Sequence, residues 1–512
     1  MAARTSEHLP VLDAHKTRCG PVRGSRRGVY RAAVLVLVHL AVFLHVAHWK
    51  IAGKTLTPME PSEAMQTLEM GYVNAGFVLF LILILTTMVL GRFFCGWACH
   101  VVAYQDLCQW ILKKAGVRPR PIRSRLLVLV PFGAAFYMFL WPQVLRLFEG
   151  RSFPLLTAHF TTTSFWETFP GPAVAVVTLL VDGFLIVYLL GGKAFCTYGC
   201  PYGAVFGVTD RLALGKIRVN DDCEQCGHCT ATCTSNVRVH EEVAKYKMVV
   251  DTGCMKCMDC VNVCPKSALS FKIGRPAFLG KRPKVKRKRI YDFSWGEEIL
   301  MAVVFLGALY AFRGLYGLVP FLLAVGMSVL TAVAGLVGWR LIRRADLVFQ
   351  YRTLKRAGRL EPWGAGVVAG FLVLSLFVLH SGWIQENARE AERFLLEAEE
   401  LPPEERGDLM AASLGRLMRA ESYGLFSVGT QQLKIGSILR EQGDLRGAEE
   451  WMRKAIATDG ALRTPRLELA GLLIMRGEYR EAEDVLGRLL DLDPQNARAR
   501  EWLEGVRARA AD

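Results

Sequence analysis

Eight cysteines in the middle of the chain form two runs with identical spacing. The first run is CEQCGHCTATC, residues 223–233, and the second run is CMKCMDCVNVC, residues 254–264. Each follows C-x2-C-x2-C-x3-C, in which short loops let three thiolates grip one face of an iron–sulfur cubane while the fourth cysteine reaches another cluster. Zinc sites more often use two separated cysteine pairs. The spacing therefore predicts two [4Fe–4S] clusters.

The same rule assigns ligands across the two runs. The first cluster is expected to take Cys223, Cys226, Cys229 and Cys264. The second cluster is expected to take Cys254, Cys257, Cys260 and Cys233. Thr234 stands where a proline usually follows the fourth cysteine, which can change the local turn but removes no ligand.

Two further cysteine pairs have CxxxC spacing. Cys95 and Cys99 lie in GRFFCGWACH, and Cys196 and Cys200 lie in GGKAFCTYGCPYG. If a helix continues through each pair, both thiols lie on one face, one turn apart. The two copies share a glycine and a basic residue before the pair and an aspartate after it, so we interpret them as a duplication that brings four sulfurs together. A redox dithiol, a metal site and inert packing are the open alternatives; soft thiolates suit Cu(I).

The elements that must position these cysteines are strongly apolar. The chain has 512 residues, 52% of them hydrophobic, and a mean hydropathy of +0.25. Seven nearly uncharged stretches come close to the ~20 residues that cross a bilayer. They cover about 29–48, 72–91, 124–142, 172–191, 297–313, 318–339 and 363–382. These stretches predict a multi-pass α-helical membrane protein with about seven spans. Each CxxxC pair directly follows one of the stretches.

Basic residues are distributed unevenly around these stretches. The formal net charge is +16, and the excess includes KRPKVKRKR at 281–289, just before the fifth stretch. Because Lys and Arg are retained on the cytoplasmic side, we expect the N-terminus and all the cysteine motifs inside, and the C-terminus outside. For the basic run 281–289, retention on the cytoplasmic side of a membrane span is favoured over nucleic-acid binding, so no nucleic-acid partner is expected. No signal peptide is apparent before the first stretch.

Histidines near the outer end of the first stretch are candidate ligands. His45 and His48 lie three residues apart, and His100 follows the first CxxxC pair. Imidazoles ligate haem or copper and handle protons from quinol, so copper, haem and quinone stay open as further cofactors. Trp49 and Lys50 beside His48 are also typical of an interfacial anchor.

The charged C-terminal region contains a repeat. Gly443, Leu445, Ala448, Met452 and Ala455 recur 34 residues later as Gly477, Tyr479, Ala482, Leu486 and Leu489. This is the tetratricopeptide period, and we expect a third repeat upstream because fewer than three rarely bury enough core. Such an array binds partner proteins; the alternative is a helical hairpin that only caps the chain.

The sequence thus divides into five expected regions. They are a basic cytoplasmic N-terminus (1–27), a four-span membrane unit with the first CxxxC pair (28–191), the second pair with a cytoplasmic-side α+β ferredoxin-like insert for two [4Fe–4S] clusters (192–296), a three-span unit (297–383) and an α-helical tetratricopeptide array (384–512).

The combination of motifs resembles the membrane polyferredoxins. GRFFCGWACHxxxYQD and CTYGCPYGAVFGVTD flank paired spans and precede two ferredoxin runs, as in the NapH, NosR and CcoG types, over about residues 28–275. The CxxxCP motif of that family is intact at Cys196, Cys200 and Pro201, whereas His100 replaces the proline in the first copy. The resemblance implies a bacterial inner-membrane electron-transfer protein, and the distribution of basic residues predicts cytoplasmic clusters and periplasmic repeats.

Three functions are consistent with these features. The first is electron transfer between a quinone pool or cytoplasmic donor and a membrane or periplasmic redox partner, with the repeats docking a partner protein. The second is a cupric reductase or metal-handling assembly factor for a respiratory enzyme. The third is a redox-sensing scaffold. An oxidoreductase-type carrier is expected, because no hydrolase triad, Walker loop or dinucleotide fingerprint is present.

Overall fold

A computed structural model describes residues 27–117, 119–120, 122–168, 171–279 and 291–510. The basic N-terminal segment up to residue 26 and the basic run 281–289 lie outside the described residues.

Six helices in the described ranges are long and apolar enough to cross a membrane, judged by length and composition. They are Arg27–Ala52, Leu127–Phe148, Pro172–Leu190, Trp295–Phe312, Phe321–Arg343 and Pro362–Glu399. The second predicted span is the Ala75–Leu90 helix, which has 16 residues and is shorter than the ~20 that a bilayer requires. The predicted count of seven spans is therefore not confirmed.

Two of the apolar helices contain a π-helical segment. Phe136–Leu140 interrupts the Leu127–Phe148 helix, just before Pro142, which has no N–H for the carbonyl one turn back. Leu179–Leu185 interrupts the Pro172–Leu190 helix. Such π segments occur frequently at functional sites.

The cysteine-rich insert folds around a two-stranded antiparallel ribbon. Gly215–Val219 pairs with Leu269–Ile273, so that Ile217 lies opposite Phe271. Each cysteine run sits in the loops between these strands, together with a short helix, His228–Thr232 or Asp259–Asn262. Ile217, Val237, Val239, Val243, Val249 and Leu269 form the buried core of this α+β domain.

The chain separates into two compact units. One comprises Met1–Leu306 with Val325–Ala369, and it contains every cysteine motif; the other comprises Gly307–Ala324 with Gly370–Asp512. The helices of the second unit are Gly407–Tyr423, Gly429–Glu441, Leu445–Thr458, Thr464–Met475, Tyr479–Leu492 and Ala497–Ala510, beside the later part of Pro362–Glu399.

The repeat region has the packing that its period predicts. Ala448, Met452 and Ala455 are fully buried, as are their counterparts Ala482, Leu486 and Leu489. Gly443 and Gly477 occupy the matching left-handed positions, φ 81° and 76°, where each helix pair turns, and a side chain there would be strained. Upstream, Ala391, Ala398, Met410 and Leu417 form a further core with Ile435 and Ile438.

Candidate functional site

The two ferredoxin runs adopt the same backbone conformation. Left-handed residues recur 31 positions apart, as Gln225 and Lys256 (φ 55° and 51°) and as Gly227 and Met258 (φ 82° and 64°). Thr234, in place of proline, does not alter the turn after the first run, because Asn236 (φ 60°) matches Ser267 (φ 53°). Both loops therefore present their thiols in equivalent ways.

The four cysteines expected to hold the first cluster line one pocket. Cys223, Cys226 and Cys229 come from the first run, and Cys264 comes from the end of the second. The thiol of Cys264 accepts the backbone N–H of Ala268 at 3.3 Å, and that of Cys223 accepts the side-chain amide of Gln225 at 3.2 Å. Hydrogen bonds to sulfur of this kind tune iron–sulfur clusters.

The other four cysteines of the runs also lie together. Burial raises the pKa of the Cys233 thiol, and the nearby Cys257 and Cys254 raise it further. Cys260 is affected in the same way, by burial first and then by Cys254, Cys257 and Cys233. Cys233 of the first run is thus placed among the first three cysteines of the second run.

Both donor sets consist of clustered cysteine sulfurs. Burial, followed by Cys226, raises the pKa of the Cys229 thiol to about 12, and a bound cationic group would favour the thiolate form instead. Only cysteines supply the donors at both positions, which is the ligand chemistry of [4Fe–4S] clusters.

The helix does not continue through either CxxxC pair. The two thiols of a pair are therefore not placed one turn apart on a single helix, as a continuous helix would require. Cys95 lies in the Phe93–Trp97 helix, and Cys99 precedes the next helix, His100–Lys114. In the second motif Cys196 lies in Ala194–Tyr198, and Cys200 precedes Pro201–Thr209. The break has one geometry: the N–H groups of Ala98 and Cys99 both donate to the Phe94 carbonyl, and those of Gly199 and Cys200 both donate to Phe195.

The two motifs meet through Arg92. Its side chain is 4% exposed, and an ideal Cβ on Gly203 of the second motif would lie 3.2 Å from its Nη2 atom. Cys95, Cys196 and Cys200 all interact electrostatically with this guanidinium. We refer to Cys95, Cys99, Cys196 and Cys200 as the thiol quartet.

The first motif is also packed directly against the second ferredoxin run. A Cβ on Gly96 would lie 2.2 Å from the Met255 carbonyl oxygen and 3.2 Å from the Cys257 nitrogen. The guanidinium of Arg92 donates through Nη1 to the Thr252 carbonyl at 2.9 Å. Only a glycine permits this approach of the two backbones.

Buried ion pairs stabilise the contact between the first CxxxC motif and the ferredoxin domain. Asp210, fully buried, accepts from Lys256 at 2.9 Å and from Lys216 at 2.7 Å, and its Oδ1 also accepts the backbone N–H of Arg92 at 3.1 Å. Burial opposes ionisation of Asp210, but the two ammonium groups outweigh it and lower the pKa of this carboxyl. Arg31 of the first apolar helix binds Asp106 and also Asp259, the latter at 2.9 Å.

The predicted histidines have local partners. His45 Nε2 lies 3.1 Å from the Leu56 carbonyl, and His48 Nδ1 lies 2.9 Å from the Thr55 hydroxyl. His100 lies beside Glu60, with 3.7 Å between Nε2 and Oε1. The last of these contacts places Glu60 next to the first CxxxC motif.

Two residues with structural importance escaped the sequence reasoning. Arg31 carries no sequence signal beyond its positive charge near the start of an apolar stretch, yet it is 8% exposed and ion-paired. Asp182 lies in the π segment of the Pro172–Leu190 helix, 1% exposed, and neither carboxylate oxygen has a hydrogen-bond partner. An acidic residue within an apolar span was the available signal, since such residues are costly unless they have a function.

Comparison with known families separates the CxxxC motifs, the ferredoxin runs and the C-terminal repeats into different matched domains. A family described as a 4Fe-4S binding domain matches residues 74–118 and 172–220, which include the thiol quartet. A 4Fe-4S dicluster domain matches residues 222–269. A tetratricopeptide repeat family matches residues 439–504, which confirms the predicted repeat.

Relatives from several bacteria match part of the chain. The protein YccM of Escherichia coli is 28% identical over 262 residues, 49% of this chain and 68% of that protein. The ferredoxin-type protein NapH of Haemophilus influenzae is 29% identical, over 37% of this chain and 66% of its own length. The methylamine utilization ferredoxin-type protein MauN of Methylorubrum extorquens is 29% identical, over 40% of this chain and 70% of its own length.

These domains and relatives define an iron–sulfur electron-transport protein with apolar membrane helices. The chain is similar to ferredoxin-type proteins over its 4Fe-4S domains, which supports a polyferredoxin family, and it carries a tetratricopeptide region in addition.

Proposed function

We propose that this protein carries electrons between a soluble or quinol donor and a redox partner, through clusters held at the surface of a set of membrane helices. The observation that supports this most directly is the contact of Gly96 with Met255 and Cys257. It joins the first CxxxC motif, which follows an apolar helix, to the loop of the second ferredoxin run. A carrier that serves a membrane partner needs such a contact, because electron transfer requires close approach.

Two [4Fe–4S] clusters are the proposed cofactors. Cys223, Cys226, Cys229 and Cys264 would hold the first, and Cys254, Cys257, Cys260 and Cys233 would hold the second. These clusters would supply one-electron chemistry at potentials set by burial and by hydrogen bonds to sulfur. The chain's own contribution is to bury the sulfurs, to donate N–H groups to them and to place basic side chains nearby, such as Lys256 within the second run.

Orientation follows from charge. The basic segments before and between the apolar helices support a cytoplasmic ferredoxin domain in a bacterial inner membrane, with the repeats on the periplasmic side. The repeats would then dock a partner protein. The Glu60–His100 pair beside the first motif is a proposed position for accepting protons if the donor is a quinol.

The test uses the full chain, purified anaerobically in detergent, with iron, zinc and copper counted per chain and the dithionite-reduced sample examined by EPR. At least about eight irons are expected. A cysteine outside both ligand sets, Cys108, provides the control: Cys108→Ala should keep every iron.

The crossed ligand assignment is tested by combining variants. Cys223→Ala and Cys264→Ala are expected to remove the same cluster, so the double variant should lose no more iron than either single variant. Cys264→Ala combined with Cys254→Ala should lose both clusters. Zinc in place of iron, or equal losses in the two double variants, would contradict the proposal.

Electron transfer itself is then measured by mixing the oxidised protein with a reduced quinol, or with a reduced soluble ferredoxin, and following the visible absorbance of the clusters. Bleaching by either donor supports the proposed carrier function and identifies the class of donor. No bleaching by either, in a sample that dithionite does bleach, would favour a sensing scaffold instead.

A further inference from the structure

Lys193 is a fully buried lysine that directly precedes the helix of the second CxxxC motif. Its side chain is 0% exposed, and its ammonium nitrogen has no hydrogen-bond partner among the described residues. The Oδ1 atom of Asp106 lies 3.9 Å from this nitrogen, beyond hydrogen-bond distance. A buried ammonium group is costly unless it is paired and hydrogen-bonded, so a further negative charge close to Lys193 would stabilise it.

The backbone holds Lys193 in this position. Its φ of 55° lies in the left-handed region, which a residue with a side chain adopts at a cost in free energy. Its carbonyl oxygen accepts the backbone N–H of Thr197 at 3.1 Å and the hydroxyl of the same residue at 3.0 Å. The buried charge is therefore fixed in place by a strained residue.

The second ferredoxin run lies on the same side. Arg31 binds Asp106, the carboxylate beside Lys193, and it also binds Asp259, which follows Cys257 by two residues. Burial raises the pKa of the Cys257 thiol, and the positive charges of Lys193 and Arg31 act against that effect. A cluster held by Cys257 would thus bring its negative charge next to two buried cations.

Positive side chains outnumber carboxylates in the contact network around this run. The network joins five basic side chains to three carboxylates. The basic side chains are Arg31, Arg92, Lys193, Lys216 and Lys256, and the carboxylates are Asp106, Asp210 and Asp259. An oxidised [4Fe–4S] core with four thiolates carries a net charge of about −2, which would offset this excess. Reduction adds a further negative charge, which buried cations stabilise strongly because the local dielectric is low.

The pocket of the first ferredoxin site has a different charge balance. Glu224 and Lys266 line it, together with His228 and His240. Glu224 and Lys266 lie 3.0 Å apart and both reach solvent, so their charges oppose each other and are screened. The potential of a cluster there would receive little from fixed charge.

We propose that Lys193 and Arg31 make the second ferredoxin cluster the stronger electron acceptor of the two, so that electrons run from the first cluster toward the CxxxC motifs. This inference rests on the proposed function, in which both clusters are present. In the step itself one electron leaves the first cluster, which is reoxidised, and reduces the second, and no bond is formed or broken. Lys193 acts as a positioning residue, through its charge alone.

EPR-monitored redox titrations of the full-length protein test the order of the two potentials. The Cys223→Ala variant is expected to retain the second cluster and Cys254→Ala to retain the first. A signal that appears in both variants belongs to neither ferredoxin cluster. We expect the cluster left in Cys223→Ala to be reduced at the higher potential.

Two charge variants, each combined with Cys223→Ala, then test the cause. Lys193→Gln should lower the midpoint potential of the second cluster, with about a tenfold smaller ratio of reduced to oxidised cluster at a fixed potential. Asp106→Asn removes a negative charge from the same place and should raise the midpoint potential. Lys272→Gln, which changes an exposed lysine of the same domain, should leave it unchanged.

Opposite shifts in Lys193→Gln and Asp106→Asn would support the proposal, because loss of packing alone gives no reason for shifts of opposite sign. Equal potentials of the two clusters, a lower potential for the second, or an unchanged potential in an iron-loaded Lys193→Gln would overturn it and leave the proposed function intact. If Lys193→Gln loses its iron, Asp106→Asn decides: an unchanged or lower potential overturns the proposal. Zinc in place of iron in the wild type would overturn both proposals.

Discussion

The indole Nε1–H of Trp97 donates a hydrogen bond to the backbone carbonyl of Lys256 at 3.0 Å. Trp97 lies between the two cysteines of the first CxxxC motif, and Lys256 lies between two cysteines of the second ferredoxin run. The bond therefore links two cysteine motifs about 160 residues apart in the chain. Together with Gly96 it makes the first motif part of the ferredoxin surface rather than a separate feature of a membrane helix.

Replacing Gly96 should disturb this junction. In Gly96→Ala the added methyl group would lie 2.2 Å from the Met255 carbonyl oxygen, and because both partners are backbone, relief requires the two segments to separate. Overpacking of this kind costs about 1–3 kcal/mol. We expect a lower midpoint for thermal loss of the visible cluster absorbance.

Gly133→Ala is the matched control for Gly96, because a Cβ at Gly133 meets nothing within 4 Å. The same melting midpoint for Gly96→Ala and wild type would show that the two loops are not in contact.

The buried Asp210 should be needed for stability. Asp210→Asn leaves Lys256 and Lys216, both with fully buried side chains, without their counter-ion. Removing one partner of a buried ion pair typically costs about 3–5 kcal/mol. The measurement is the midpoint of thermal or denaturant unfolding of the iron-loaded protein.

An exposed ion pair of the same domain provides the comparison for Asp210. Asp221 lies 3.4 Å from Lys247 with its carboxylate in solvent, and Asp221→Asn should leave the midpoint unchanged because surface pairs contribute little. Equal midpoints for the two variants would argue against the buried network.

Arg92 should stabilise the contact between the two CxxxC motifs and the second ferredoxin run. In Arg92→Gln the buried guanidinium that donates to the Thr252 carbonyl is lost, which typically costs about 1–3 kcal/mol. Arg92→Lys keeps the positive charge and should cost less. The measurement is the midpoint for thermal loss of the visible cluster absorbance.

Arg211→Gln provides a control for Arg92, because Arg211 lies near the second motif in the sequence and is exposed to solvent. Its melting midpoint should equal that of the wild type. Equal midpoints for Arg92→Gln and Arg211→Gln would show that the role given to Arg92 is wrong.

In the second unit, Tyr316 should anchor the turn before the repeats. Its hydroxyl oxygen accepts the backbone N–H of Leu425 at 2.9 Å, and its ring meets Phe426 edge-on at 5.5 Å. Tyr316→Phe removes the acceptor, and the net contribution of such a hydrogen bond on a partly exposed residue is about 0.5–1.5 kcal/mol. We expect earlier proteolysis of the 424–428 loop.

Tyr423→Phe is the control for Tyr316, because Tyr423 is 66% exposed. Unchanged proteolysis of Tyr316→Phe would mean that the aromatic contact alone holds the loop.

The sequence alone was sufficient for features that depend on local spacing. C-x2-C-x2-C-x3-C restricts a short loop so strongly that the cluster type follows from the residues, and a period of 34 residues defines a helical repeat without reference to the rest of the chain. The apolar helices were also found, because about twenty uncharged residues have few alternatives. The second stretch was an exception: its helix starts only after Asn74, whose side chain accepts the Phe77 N–H as an N-cap.

Only the tertiary structure decided how these local units combine. The break between Cys95 and Cys99, the packing of Gly96 on Met255 and the burial of Arg31 between Asp106 and Asp259 each depend on contacts across tens to hundreds of residues. No spacing rule encodes such contacts, because they arise when separate apolar helices and the ferredoxin domain are buried against one another. The meeting of two distant CxxxC motifs around Arg92 is the clearest case: the sequence supplied the duplication, and the packing determined which atoms face one another.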